Sequence, residues 1–175
     1  MNKILEPILV TGGAGFIGSH FVEKLLSNGY ETHVIDNLSA GKIKFVKEFE
    51  KFKNFKFYKA DLLDKKSLEF LGNYKTILHL AANPEVKLSV LNPKSHFEQN
   101  TLTTFNLLES IREASLETLV FLSTSTVYGD ARKIPTPEDY PLEPISPYGA
   151  SKAACEAMVC SYRSEERRVG KECRL

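Results

Sequence analysis

Short apolar runs recur along the chain, each followed by a stretch whose apolar residues return at helical spacing. The first run, Ile8-Leu9-Val10, passes through Thr11 and the glycines Gly12, Gly13, Gly15 and Gly18 into a helical pattern at Phe21, Val22, Leu25 and Leu26. Asn28-Gly29 gives the stop signal. A second strand over 31–35 ends in Asp36, and a helical stretch over 42–53 places Phe45, Phe49 and Phe52 on a core-facing side. Next come a strand over 55–58 closing on Asp61-Leu62, a short helix over 64–70, and a strand over 76–80 that runs into Ala81-Ala82-Asn83. A long helix around 96–114, a strand over 118–122 and a helix carrying Tyr148 and Lys152 complete the pattern. This alternation predicts an α/β chain, a doubly wound parallel sheet with helices on both faces.

Composition fits that picture. The chain has 175 residues, 42% of them hydrophobic and 26% charged, which suits one soluble domain with a sizeable core. A formal charge of +1 argues against a dedicated nucleic-acid or membrane surface. The Lys- and Phe-rich stretch 42–59 reads as a solvated amphipathic helix and edge strand, because Glu48 and Glu50 interrupt the positive charge. No apolar run is long enough to span a bilayer, and Met1-Asn2-Lys3 leads almost directly into the first strand without a signal peptide, so a cytoplasmic protein is expected. Cys155, Cys160 and Cys173 are too few for a disulfide framework, and His20, His33, His79 and His96 lack ligand spacing. No metal is expected.

The candidate chemistry lies at the two ends. Strand, glycine turn, helix, strand and acid follow one another in the order a dinucleotide needs: Gly12 for a tight reversal, Gly15 for approach of backbone N–H groups to a pyrophosphate, Gly18 for close helix packing. A carboxylate at Asp36 would accept hydrogen bonds from the adenosine ribose and repel a phosphate there, which favours NAD over NADP. Near the other end, Tyr148 and Lys152 stand four residues apart, neighbours on one helix face, so the ammonium can help the phenol give up its proton. Small residues at Ala81-Ala82 leave room for a cofactor, and the hydroxyls of Ser123 to Thr126 could orient a reacting alcohol.

Taken together, Gly12-x-x-Gly15-x-x-Gly18, Asp36, Asp61-Leu62, His79-Leu80-Ala81-Ala82, Asn100, Ser123-Thr124-Ser125-Thr126-Val127-Tyr128-Gly129 and Ser146-Pro147-Tyr148-Gly149-Ala150-Ser151-Lys152 resemble the extended short-chain dehydrogenase/reductase family, with nucleotide-sugar epimerases of the UDP-glucose 4-epimerase type as the nearest pattern. The resemblance implies a Rossmann-type domain with NAD as cofactor and Thr124, Tyr148 and Lys152 as the catalytic group. It implies cofactor contacts from Gly12, Gly15, Phe16, Ile17, Gly18, Asp36, Asn37, Asp61, Leu62, Ala81, Ala82, Asn100, Tyr148 and Lys152. Tyr148 would take the proton of the sugar's 4-hydroxyl, Lys152 would assist it and hold the nicotinamide ribose, and Thr124 would bind the reacting oxygen. A nucleotide-sugar substrate and a homodimer are further implications.

Related 4,6-dehydratases carry an Asp-Glu pair directly after the Thr, where this chain has Ser125 and Thr126, so the epimerase reading is preferred. A non-catalytic NAD-binding module is the alternative of another class. Family members continue well past the Tyr-x-x-x-Lys helix, whereas 163–175 resembles none of them and looks like the translation of a sequencing adaptor. The expected organisation is therefore an incomplete NAD-binding domain over 1–162, a non-native or disordered tail over 163–175, no carboxyl-terminal substrate domain, and an inactive fragment.

Overall fold

A computed structural model describes the backbone of residues 4–166 and the side chains of residues 4–162. Five parallel strands, β1 (Ile8–Thr11), β2 (Thr32–Asp36), β3 (Phe55–Lys59), β4 (Thr76–His79) and β5 (Thr118–Phe121), form one sheet in the order β3-β2-β1-β4-β5. Every residue of β1 and β2 is buried, as an apolar run between two parallel neighbours must be. The order reverses between β1 and β4, and there the strand ends open the crevice in which such sheets bind ligands.

Register sorts the side chains onto two faces. Ile8, Val10 and Val34 meet α1 (Phe16–Ser27) through Val22, Leu25 and Leu26, and α2 (Ile43–Lys47) through Val46. Leu9 and Ile77 point the other way, onto Leu107, Leu108 and Ile111. That second face is built from α3 (Val86–Leu91), α4 (Pro93–His96), a π-helical turn (Phe97–Leu102), α5 (Thr103–Ser110) and α6 (Pro147–Glu166), the last contributing Met158 and Val159 to the same core.

Three local readings change. The helix expected over 42–53 is α2 followed by a 3-10 turn (Glu48–Lys51), and of its three phenylalanines Phe49 is buried while Phe45 and Phe52 are half-buried, with Val46 taking the inner place. The helix expected around 96–114 is split by the π turn, which shifts its face by an extra residue. Helix α3 lies between Asn83 and His96, where the sequence pattern predicts no element.

Helix α6 continues to Glu166, into the stretch expected as a tail; 167–175, and with it Cys173, lies outside the described residues. Among the described residues no helix is long and apolar enough to cross a membrane, and no group of three or more His, Cys, Asp or Glu side chains could hold a metal ion.

Candidate active site

The glycine loop is shaped by backbone meeting backbone. Gly12 has φ 70°, and a Cβ there would stand 2.7 Å from the Ala81 nitrogen, so β1 and the exit of β4 approach as closely as they do only without a side chain. A Cβ on Gly18 would run into the Gly12 carbonyl oxygen, whereas one on Gly15 would meet only that oxygen, at 3.2 Å, and otherwise open space. Helix α1 starts at Phe16 with Gly15 as its cap, no side-chain cap bond and no acid in its first turn. Its first N–H groups therefore face the crevice, an anion-binding arrangement that fits the pyrophosphate of a dinucleotide. Phe16 is 72% exposed and Ile17 half-exposed, which leaves their backbone rather than their side chains to serve such a ligand.

Asp36 braces the loops that follow β1 and β2. Its Oδ2 accepts from the Ala14 N–H (3.0 Å) and its Oδ1 from the Leu38 N–H (2.8 Å), the latter residue held at φ 63°. A carboxylate oxygen has a second lone pair, so each can still accept a ribose hydroxyl. Beside it, Asn37 Nδ2 donates to Asp61 Oδ2 (2.9 Å), while Asp61 Oδ1 accepts from the Leu63 N–H (2.8 Å). Leu62 turns into the core, and its carbonyl accepts from Asn106 (3.0 Å). Ala81 donates its N–H to Thr11 Oγ1 (3.2 Å), and Ala82 is half-buried beside it. These residues line the carboxyl ends of β1 to β4 and fit NAD in chemistry and position.

Asn100, fully buried on the π turn, ties the β4 exit to α6. Its Oδ1 accepts from the Asn83 N–H (2.6 Å) and its Nδ2 donates to Ser151 Oγ (2.9 Å), whose hydroxyl donates to the Tyr148 carbonyl (2.7 Å). The Asn100 carbonyl is taken by Thr103 (3.1 Å), Thr104 (2.7 Å) and Cys155 Sγ (3.4 Å), so the loosened π geometry leaves no orphan acceptor. His79 sits between Thr11 Oγ1 (2.7 Å) and Thr104 Oγ1 (3.0 Å). Burial, and secondarily the charge of Lys152, push its pKa down to about 3.

The exit of β5 meets α6. Thr124 Oγ1 caps the 3-10 turn Ser125–Tyr128 by accepting from the Thr126 N–H (3.3 Å), and it shares a 3.2 Å contact with Thr126 Oγ1. The Thr126 carbonyl lies against Gly149, where a Cβ would come within 2.7 Å of it. Lys152 is 3% exposed; its Nζ donates to the Leu122 carbonyl (2.7 Å) and stands 4.0 Å over the Phe121 ring centroid. Burial lowers its pKa to about 8, with Cys155 and Glu156 opposing. The buried Tyr148 ring meets His96 edge-on at 6.1 Å. Thr124, Tyr148 and Lys152 thus converge on one junction, but no hydrogen bond joins any two of them.

Glu156, Asn83, Ser151 and His96 belong to this junction although the sequence does not single them out as site residues, and Ser123, expected among the hydroxyls at the β5 exit, has its partner there. Ser123 Oγ donates to Glu156 Oε1, Asn83 and Ser151 hold Asn100, and His96 is buried beside Tyr148 with its Nδ1 unpartnered. The spacing Tyr148, Lys152, Glu156 along one helix face was the available signal.

Comparison with known proteins agrees with this geometry. The family model described as GDP-mannose 4,6 dehydratase matches residues 9–169. The putative UDP-glucose 4-epimerase of Methanocaldococcus jannaschii is 40% identical over 159 residues, covering 89% of this chain and 50% of that protein. Among solved structures, the UDP-glucose 4-epimerase of Thermus thermophilus in complex with NAD superposes with a TM-score of 0.84 at 42% identity, covering 93% of this chain and 52% of the other. A dTDP-glucose 4,6-dehydratase double mutant from Streptomyces venezuelae with NAD bound gives 0.89 at 34%, covering 94% and 54%. The chain spans about half the length, or less, of the curated relatives it matches. By these matches and by the loop, crevice and junction described above, the chain belongs to the NAD-dependent epimerase/dehydratase family of extended short-chain dehydrogenases/reductases.

Proposed function

We propose that this chain is the cofactor-binding part of a nucleotide-sugar 4-epimerase acting between UDP-glucose and UDP-galactose. The observation that carries the reading is the junction of β5 with α6, where the strand exit that carries Thr124 holds the buried Lys152, the buried Tyr148 stands one turn before it on α6, and Ser125 and Thr126 follow the threonine. Bound NAD would supply the oxidising and reducing capacity at the sugar's carbon 4, taking a hydride and returning it to the opposite face. Tyr148 takes the proton of the 4-hydroxyl and later gives it back, and Thr124 hydrogen-bonds the same oxygen. Lys152 contributes a positive charge near that oxygen from a site screened from water. Asn100 holds the β4 exit against α6, which fixes where Tyr148 stands.

The family description and the Streptomyces neighbour favour a second reading, a 4,6-dehydratase. Elimination of water needs a further acid and base, and neither Ser125 nor Thr126 supplies one. In the whole protein, the exposed apolar residues Val90, Leu91 and Phe97 support a homodimer, and a cytoplasmic setting suits its substrates. The chain alone should bind NAD without turning over sugar.

A chimera joining residues 1–162 to the carboxyl-terminal half of the Bacillus subtilis UDP-glucose 4-epimerase tests the reading. Interconversion of UDP-glucose and UDP-galactose without NADH accumulation supports it. Release of a 4-keto-6-deoxy sugar favours the dehydratase, and NAD binding with no turnover favours a binding module.

A further inference from the structure

On the inner face of α6, Tyr148, Lys152 and Glu156 follow one another at four-residue spacing, and all three are buried. Two consecutive residues at the β5 exit hold two of them. The Leu122 carbonyl accepts from Lys152 Nζ, and the Ser123 hydroxyl donates to Glu156 Oε1. Thr124 is the next residue along. A carboxylate that is 5% exposed needs a reason to be there, since burying it costs several kcal/mol unless charge and hydrogen bonds offset the loss of water.

We propose that Glu156 is the counter-charge of Lys152, fixed by the Ser123 hydroxyl, and that this pair positions the ammonium over Phe121 and keeps it protonated beside Thr124 and Tyr148. Among the described residues no other negative charge is placed to do so. Cys155, next to Glu156 and one turn from Lys152 on α6, has its thiol pushed up by burial and stays neutral. From β4, His79 faces Lys152 and is held uncharged at neutral pH. The Phe121 ring on β5 and the Leu122 carbonyl offer only partial charge. Burial already brings Lys152 down to about 8, with Glu156 among the groups opposing that fall, so losing the carboxylate would leave much of the lysine neutral near pH 7. The Ser123 bond also fixes the height of the β5 exit on α6, and with it the place of Thr124.

This role rests on the reading of Lys152 as partner of Tyr148, yet the titration that decides it needs neither sugar nor cofactor. In the 175-residue chain labelled with 13C at the lysine ε carbons, with the Lys152 signal identified by its loss in Lys152→Met, the titration midpoint is followed by NMR. Glu156→Gln keeps the shape and an oxygen for Ser123, and should lower that midpoint by about one pH unit or more. Glu156→Asp should restore part of the shift, and Ser123→Ala should lower the midpoint by about half a unit. NAD affinity of Glu156→Gln, measured by calorimetry, should fall several-fold at pH 8 and recover at pH 6. An unchanged Lys152 midpoint in folded Glu156→Gln would overturn the proposal. Should that variant not fold, an unchanged midpoint in Ser123→Ala and Glu156→Asp does so instead. Failure of sugar interconversion in the chimera would sink the epimerase reading and leave this titration standing.

Discussion

The ammonium of Lys152 donates to the Leu122 carbonyl at 2.7 Å and rests 4.0 Å over the Phe121 ring, so the end of β5 grips a buried cation from two sides. The grip does not fully replace water, and the pKa of Lys152 lies near 8 instead of 10.5.

That shift makes stability rise with pH on the alkaline side. Below pH 8 both folded and unfolded chains carry the proton, and the folded state bears the full cost of the buried charge. Between about 8 and 10.5 the folded chain has released the proton while the unfolded chain keeps it, so unfolding becomes harder by up to ~3 kcal/mol. Above pH 10 the gain is opposed, because burial raises the Tyr74 phenol and only the unfolded chain then ionises there. Urea unfolding at pH 7.5, 8.5 and 9.5 should show a rising midpoint, and Lys152→Met should flatten it.

The acid side has a slope of the same sign, because there too the unfolded chain binds more protons. His79 is neutral in the fold down to about pH 3, whereas an unfolded histidine takes up a proton near 6.5. Stability is therefore complete above 6.5 and falls as pH drops toward 3, by as much as ~1.4 kcal/mol per pH unit per histidine. His33 and His96, both lowered by burial, add to the same trend. His79→Gln, which can still bond Thr11 and Thr104, should reduce the slope of unfolding free energy between pH 6 and 4 by about one proton.

How much of this could be read in advance depends on the range of the contacts involved. The sequence from Ile8 to Asp36 declares itself because each glycine and the acid act within their own strand and turn, and the observed loop has Gly12, Gly18 and Asp36 in those places. The π turn was hidden, since an extra residue in a helix leaves the apolar pattern almost intact while moving Asn100 inward. Glu156 goes unmarked in the sequence because its partner, Ser123, is 33 positions away. Phe45 and Phe52 had the right spacing for burial, but the helix ends early and Val46 fills the core.

Gly18 cannot carry a side chain without moving the Gly12 carbonyl. Gly18→Ala should cost about 1–3 kcal/mol in urea unfolding and weaken NAD binding by calorimetry at least about tenfold, since the displaced carbonyl belongs to the anion-binding loop. Gly72→Ala, whose added carbon would meet nothing nearer than Ala114 at 3.8 Å, should be neutral in both assays.

Asp36 serves two backbone N–H groups at once. Asp36→Ala leaves both without their acceptor and should destabilise the chain by about 2 kcal/mol or more. Asp36→Asn keeps one acceptor and should cost less, while NAD affinity falls in both and the preference for NAD over NADP narrows.

Tyr148, one turn before Lys152 on α6 and facing the β5 exit that carries Thr124, is the group we propose to move the proton of a sugar hydroxyl. The most direct measurement is the rate of UDP-galactose conversion to UDP-glucose by the chimera with the Bacillus subtilis half, with Tyr148 intact and as Tyr148→Phe. This role predicts turnover in the first and a loss of at least about a thousandfold in the second, with NAD affinity unchanged within a few-fold. Undiminished turnover in Tyr148→Phe would contradict it.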